Sequence, residues 1–202
     1  MTPKRTFIEE ARRAQIIEAT IDVLAEQGYV NTSFVRIAKH AGISPSLIPY
    51  HFENKEELTD AVLMHIMTGR IAHMAEQVAT GTTPTDKLRI ALEADLAYMG
   101  TRPRLFAALV EVFFSVRDSE GHLRYIKEDD DPGLLMFVDI LNEGQQAGEF
   151  GEFDAYNVAQ IIVGAREQFL AQQFHRPTLS LDLFTETLVL FVLKAVQKEA
   201  TQ

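Results

Sequence analysis

An all-α fold follows from three features of the sequence. Pro and Gly together make up only 18 of 202 residues, about 9% against the roughly 12% usual in proteins. Helix-opening and helix-closing residues follow one another along the chain, with apolar residues at helical spacing between them. The apolar share, 47%, supports a packed core, which excludes wholesale disorder and a disulfide-stapled miniature.

Taken in order, Thr6-Phe7-Ile8-Glu9 is a capping-box pattern. It opens a helix of about 20 residues through Ile16, Ile17, Thr20, Ile21 and Leu24, closed by Gly28 in the place of a left-handed C-terminal residue. Ser33 is an N-cap for a short helix carrying Phe34, Ile37, Ala38 and Ala41 on one face, stopped by Gly42. Ser44-Pro45 opens the next, with serine accepting from orphan N–H groups and proline at the first helical position. Asn54-Lys55-Glu56-Glu57 starts a longer helix through Leu58, Val62 and Ile66 to about Val78. Gly81-Thr82-Thr83-Pro84 is a loop and the clearest break in the chain. Beyond it, helices are expected from Thr85-Asp86 to about Gly100 and from Pro103 through Arg117. The charged stretch from Asp118 to Gly133 reads as a solvated connection with one helical turn. Leu134–Gln146, about Ala155–Phe174 with Asp154 as cap, and about Leu181–Lys198 complete roughly nine helices. Residues 1–55 form a three-helix N-terminal domain and 56–202 a larger helical body, joined by the helix of about 54–78.

Composition narrows the function. With no cysteine, thiol nucleophiles, Cys-based zinc sites, iron–sulfur clusters and disulfides are excluded, in keeping with a reducing compartment. The N-terminus lacks a continuous apolar segment and a small-residue cleavage site, so it is no secretory signal. The longest apolar run near the C-terminus, Leu188 to Leu193, falls far short of the ~20 residues of a membrane span. A cytoplasmic protein is expected. The net charge of −10 argues against non-specific coating of nucleic acid, but it is uneven. Residues 1–55 carry seven basic groups (Lys4, Arg5, Arg12, Arg13, Arg36, Lys39, Lys55) and six acidic ones, whereas the rest carries 12 basic and 23 acidic.

Residues 33–52 hold the informative pattern: a short helix, a turn centred on Gly42, and a second short helix anchored by Leu47 or Ile48. Small residues at the turn let two helices cross steeply, the geometry of a helix-turn-helix whose second helix presents its N-terminal residues to a major groove. The strings Phe34-Val35-Arg36-Ile37-Ala38-Lys39-His40-Ala41-Gly42-Ile43-Ser44 and Leu47 through Tyr50-His51-Phe52-Glu53-Asn54-Lys55-Glu56-Glu57-Leu58 resemble the TetR family of bacterial transcriptional repressors. The resemblance covers about 50 residues. The C-terminal body matches that family in length and helix count.

By position, the resemblance implies a recognition helix from Ser44 to Tyr50, with Pro45, Ser46 and Leu47 facing base edges or thymine methyls. Tyr50, His51 and Lys55 would meet phosphates. Ser33 and Arg36 are further candidates for backbone or base contact, and Lys4 and Arg5 for phosphate or minor groove. Pro49 departs from the family pattern. In a helix begun at Ser44–Pro45 it removes a backbone bond and kinks the helix, or it supplies an apolar contact to a thymine methyl.

Other groups read plainly. Phe52 is expected in the core and Tyr50 outside it, and His51 is a polar contact or cap rather than a metal ligand. His65 and His73 are ordinary helix residues, and Met64, Met67 and Met74 are core fillers. The acidic run Glu128–Asp131 lacks the alternating oxygen ligands and glycine turn of a cation site, so no metal and no cofactor are expected.

The last two helices carry more apolar surface than one covered face needs: Val158, Ala159, Ile161, Ile162, Val163 and Ala165, then Leu181, Phe184, Leu188, Phe191, Val192 and Ala195. Either the monomer core covers them, or, as the resemblance implies, a two-fold four-helix bundle makes a homodimer with Ile162, Leu181, Phe184, Leu188, Phe191 and Val192 at its interface. The many phenylalanines between Phe106 and Phe174 suggest a cavity as readily as a tight core. The resemblance implies an effector pocket, with Tyr98, Phe106, Val110, Phe113, Phe114, Phe137, Arg166 and Phe169 as candidate lining. Arg166, in an otherwise apolar helix, either pairs with an acid across the bundle or receives an anionic effector. The expected protein is a TetR-like repressor that binds a palindromic double-stranded DNA operator as a homodimer and is released by a small, largely apolar effector. A helical interaction module is the alternative, as is a small helical enzyme; no triad order, carboxylate pair, phosphate loop or metal spacing supports an enzyme.

Overall fold

The computed structural model describes residues 6–125, 131–176 and 178–198. Among them are nine helices: α1 (Phe7–Asn31), α2 (Phe34–Ala41), α3 (Leu47–His51), α4 (Lys55–Val78), α5 (Pro84–Gly100), α6 (Pro103–Ser115), α7 (Pro132–Gln146), α8 (Ala155–His175) and α9 (Leu181–Val196). The architecture is all-α as expected, and among the described residues no helix is long and apolar enough to cross a membrane. Lys4, Arg5 and the acidic residues 128–130 lie outside the described residues.

The chain packs as two units, Met1–Thr68 with Arg104–Lys127, and Gly69–Pro103 with Glu128–Gln202. These units do not coincide with a division at residue 55 or at the loop 81–84. The first half of α4 belongs with the N-terminal helices because Leu58, Val62 and Ile66 are buried among them, and so are Ala108, Val112 and Val116 of α6 and the turn after it.

In the first unit, Thr6 accepts from the Glu9 N–H while the Glu9 carboxylate accepts from the Thr6 N–H, so the capping box is complete. Helix α1 runs three residues past Gly28, which has φ +75° and breaks the helical path there. The core gathers Ile16, Val23 and Leu24 of α1, Ile37 and Ala38 of α2, Ile48 of α3, then Phe52 and Leu58. Each large side chain buried here contributes about 1.5–3 kcal/mol of transfer free energy. The Arg13 guanidinium lies 3.9 Å over the Phe52 ring and donates to the His51 carbonyl. In the described part of the connection after α6 the chain makes a tight reversal. Gly121, at φ +85°, lets the chain fold back so that Arg117 bridges Leu123. Tyr125 and Arg124 then return to α4, where both bond Asp60 at 2.6 and 2.9 Å.

The second unit is built on the rest of α4 with α5, α7, α8 and α9. Its core holds Met74, Leu88, Leu92, Phe137, Leu141, Phe150, Ala159, Leu188 and Val192. Thr83, Asp131, Asp154 and Ser180 cap α5, α7, α8 and α9 through their side chains. After α7 the chain turns so that the Phe150 ring lies against Gly144, where an added Cβ would sit 2.0 Å from the ring. The Gly151 N–H then donates to the Val196 carbonyl at 2.9 Å, tying this turn to the end of α9. Met74 is a core filler as expected, whereas Met64 is 63% exposed. Gly144→Ala should therefore overpack the α7–Phe150 contact and cost about 1–3 kcal/mol. A thermal melt should show it as a Tm lowered by about 2–4 °C per kcal/mol; an unchanged Tm would mean that the Phe150 turn can withdraw freely.

Candidate nucleic-acid interface

Helix α2 ends on Gly42 in the left-handed conformation (φ 66°, ψ 33°). The Gly42 N–H donates to the Lys39 carbonyl at 3.3 Å and the Ile43 N–H to the Ala38 carbonyl at 3.0 Å. This paired closure reverses the chain within two residues. Ile37, Ala38 and Ile48 are fully buried and fix α3 against α2.

The reading segment differs from the expected helix of Ser44–Tyr50. It opens as a tight turn in which the Leu47 N–H donates to the Ser44 carbonyl (3.0 Å) and the Ile48 N–H to the Pro45 carbonyl (3.4 Å). The Ser44 and Ser46 hydroxyls bond each other at 2.9 Å, and α3 proper spans only Leu47–His51. The later start changes what Pro49 does. It is the third residue of α3, in the first turn, where a backbone N–H has no intrahelical acceptor. No helical bond is removed, and Pro45 keeps its carbonyl partner in Ile48.

Ser33, Arg36, Pro45, Ser46, Leu47, Pro49 and Tyr50 are exposed, Tyr50 at 70%, while Phe52 is fully buried. His51 and Lys55 are half-buried. Ser33 caps α2 by accepting from the Arg36 N–H. The Arg36 guanidinium donates to the Gln27 side chain and the Asn31 carbonyl, both at 2.9 Å, so it braces α2 on α1. The Tyr50 hydroxyl donates to Glu9 at 3.3 Å. Hydrogen bonds from the Thr6 backbone and hydroxyl hold the Glu9 carboxyl below its ordinary value, leaving a carboxylate at the edge of this surface.

Lys55 is held more tightly than its position suggested. Its ammonium donates to the Tyr29 carbonyl at 2.5 Å and lies 3.8 Å over the Tyr29 ring. Burial pushes its pKa down. Tyr29 carried no signal in the sequence beyond its place after Gly28. Lys39 and Val35 are also exposed on α2.

In the second unit Arg166 is structurally paired. Its guanidinium donates to Asp95 at 2.6 Å, and Arg70 meets the same carboxylate at 2.6 and 3.2 Å. All three side chains are 8% exposed or less. Arg70 also bonds Asp131 at 2.9 Å, and Arg166 bonds Glu167 at 3.2 Å. Burial alone would raise the Asp95 carboxyl, but the charges of Arg166 and Arg70 and their hydrogen bonds overcome it and hold it at about 2.

The candidate pocket residues do not fall in one unit. Phe106, Val110, Phe113 and Phe114 lie in the first, and Tyr98, Phe137, Arg166 and Phe169 in the second. Phe114 is 62% exposed and Phe137 fully buried in the core. Phe169 stacks on Phe184 with ring centroids 4.0 Å apart, and Tyr98 lies beside His73 and under Arg102.

The residues expected at a dimer interface differ in exposure within the protomer. Ile162, Leu188 and Val192 are buried in the protomer core, and Leu181 packs on Gly100. Leu181 and Phe184 are only partly buried. Among the described side chains, the large apolar residues left exposed on α8 and α9 are Tyr156, Ile161, Leu183, Leu190 and Phe191, so Phe191 alone of the expected six is well exposed.

Two short helices joined through a left-handed glycine, with a buried anchor and an exposed polar and apolar reading edge, define a helix-turn-helix protein. The family model "Bacterial regulatory proteins, tetR family" matches residues 16–62. The fatty acid metabolism regulator protein of Bacillus subtilis (strain 168) is 30% identical over 156 residues, 76% of this chain and 79% of that protein. The regulator BetI of Burkholderia ambifaria (strain MC40-6) is 30% identical over 89 residues, 44% of this chain and 46% of its own. Among solved structures, the fatty acid degradation regulator FadR from Bacillus halodurans superposes with a TM-score of 0.80 at 24% identity, covering 94% of this chain and 97% of that one. FadR from Bacillus subtilis in complex with stearoyl-CoA gives 0.75 at 22% identity, over 91% and 99%. The chain belongs to the TetR family of bacterial regulatory proteins. It is a transcriptional regulator and not an enzyme.

Removal of the Asp95 carboxylate leaves two buried guanidiniums facing each other. Asp95→Ala should cost about 3–5 kcal/mol, read by urea unfolding. Because the folded pKa lies below the ordinary carboxylate value, this stabilisation is complete above about pH 4 and is lost as pH falls towards 2. A variant as stable as the parent at neutral pH would contradict the assignment.

Proposed function

We propose that this regulator is a homodimeric repressor, acting in the cytoplasm, that binds a palindromic operator and leaves it when a fatty acyl thioester enters the second unit. The observation that carries the reading is the 30% identity to the Bacillus subtilis fatty acid regulator over 156 residues. That span is too long to lie within the helix-turn-helix region and must take in part of the effector-binding body. The stearoyl-CoA complex of the structurally similar Bacillus subtilis FadR supports the choice of an acyl-CoA.

On DNA, Pro45, Ser46, Leu47, Pro49 and Tyr50 form the reading edge, with apolar groups for thymine methyls and hydroxyls for base edges or phosphates. Ser33, His51 and the remaining hydrogens of Lys55 serve the phosphate backbone. Arg36 contributes chiefly by holding α2. Two-fold symmetry sets two such edges about one DNA turn, roughly 34 Å, apart and requires a palindrome. The effector acts by differential affinity: it favours a conformation in which that spacing is wrong. Tyr98, Arg166 and Phe169 are the pocket candidates retained in the second unit.

Exposed Ile161 on α8 and Leu183, Leu190 and Phe191 on α9 supply the apolar face for the partner protomer. In α9 these residues recur at helical spacing, which gives one stripe rather than scattered exposure.

The test is selection of sheared genomic DNA on the purified protein, then anisotropy titration of the enriched site with acyl-CoAs of graded chain length. A palindrome released by long-chain acyl-CoA, and not by free CoA, is expected. An operator indifferent to every acyl-CoA would refute the effector class, and no enriched site would refute the operator reading. Independently, Leu190→Asp should convert the dimer to monomer in sedimentation velocity and weaken binding to the full palindrome by at least tenfold. A dimer that survives this change would place the interface elsewhere.

A further inference from the structure

Helix α6 touches α1 at two polar points. At its start the Arg104 guanidinium donates to the Asp22 carboxylate at 2.7 Å. Seven residues on, the Glu111 carboxylate accepts from the Tyr29 N–H at 2.8 Å. Asp22 and Tyr29 are themselves seven residues apart on α1. Seven residues of regular helix are two turns, about 10.5 Å, so Arg104 and Glu111 share a face of α6. Between them Ala108 is fully buried.

Each α1 residue so held also holds part of the reading head. The other oxygen of Asp22 meets the His40 ring at 3.0 Å, in the last turn of α2. The Tyr29 carbonyl accepts from Lys55 at the start of α4, three residues after the core anchor Phe52. The Glu111 contact depends on a special backbone feature. At Gly28 the positive φ takes Tyr29 out of the regular helical path, and a Cβ there would sit 3.2 Å from the Glu111 carboxylate. Arg104 is 64% exposed at its side chain, so its ion pair contributes little stability. Its consequence is geometric.

We propose that Glu111 and Arg104 are positioning residues for DNA reading, a two-point splint by which α6 sets the placement of α2 and of the chain leaving α3. Neither side chain touches DNA. A slide of α6 along α1 by one helical turn, about 5.4 Å, carries both contacts beyond hydrogen-bonding distance together. Asp22 and Tyr29 then lose their outer partner while still bonded to His40 and Lys55. The inference rests on the operator-binding reading above.

The experiment uses the full-length protein and the DNA site enriched by the parent, with affinity for that site and for an unrelated duplex measured at one salt concentration. Glu111→Ala should lose at least tenfold in affinity for the selected site while its non-specific affinity stays within twofold. Glu111→Gln, whose amide oxygen still accepts from the Tyr29 N–H, should return to within threefold of the parent. Arg104→Ala, a surface change that leaves the core intact, should lose selectivity in the same sense by a smaller factor. Hydrogen exchange at Tyr29 should quicken in Glu111→Ala and recover in Glu111→Gln. Parent-like selectivity in both alanine variants overturns the splint, and so does a Glu111→Gln variant as weak as Glu111→Ala. Equal loss of specific and non-specific binding in Glu111→Ala also overturns it. If the parent enriches no site, the operator reading itself has failed, a result distinct from any of these.

Discussion

One carboxylate, that of Asp95, holds the second unit in register. It lies on α5 and pairs with Arg70 of α4 and Arg166 of α8 at once, while Asp131 and Glu167 supply further negative charge. An unpaired guanidinium at that depth would carry a desolvation cost of several kcal/mol. Asp131 completes the arrangement from the start of α7: one of its oxygens caps the helix through the Gly133 N–H, and the other meets Arg70. A cation beside a helix N-terminus is ordinarily disfavoured by the macrodipole. The Asp131 carboxylate stands between the two and makes the placement tolerable. Gly133 has no side chain because the Arg70 guanidinium lies where a Cβ would be, 2.5 Å from it. Four helices thus agree on a single position for each buried charge. A network so fully bonded specifies one packing where a purely apolar core would accept several.

The first unit is specified differently, by backbone closures. Gly28 breaks the path of α1 ahead of the pair of short helices and Gly42 reverses the chain between them, while the Arg13 and Lys55 side chains hold the His51 and Tyr29 carbonyls. The reading segment is short because Ser44 to Ser46 form a tight turn before α3 begins. That shortness is what accommodates Pro49. In a helix begun three residues earlier, its ring would clash with the preceding turn.

Much of this was legible from local pattern. The caps at Thr6, Ser33 and Asp154 stand where the sequence places them, because capping is decided within four residues. The buried Ile37 follows from spacing in the same way, whereas Leu47 and Ile48 stood as alternative anchors and the structure buries Ile48. Non-local choices were not legible. Arg70 and Asp95 are 25 positions apart, and each alone looks like a solvated helix charge. In α8, Ile161 and Ile162 are adjacent apolar residues. Only the neighbours decide that Ile162 enters the core and Ile161 faces out. The membership of α6 in the first unit rests on Ala108 and Val112, residues that any amphipathic helix could carry. Lys55 was identifiable as a cation near the reading helix, but not as one folded onto the Tyr29 carbonyl.

The two prolines of the reading edge have an entropic consequence. Pro45 and Pro49 each fix φ near −65° within a stretch of five residues, and the hydroxyl pair Ser44–Ser46 closes the turn between Gly42 and Leu47. A segment so constrained has few alternative shapes to give up when it enters a groove. Ordering a flexible backbone costs about 1–2 kcal/mol per residue, and here much of that ordering is done when the chain folds. The same stiffness narrows what the edge can adapt to. A groove of the wrong width meets a surface that cannot bend to follow it, so discrimination by DNA shape is built into the backbone as well as into the side chains.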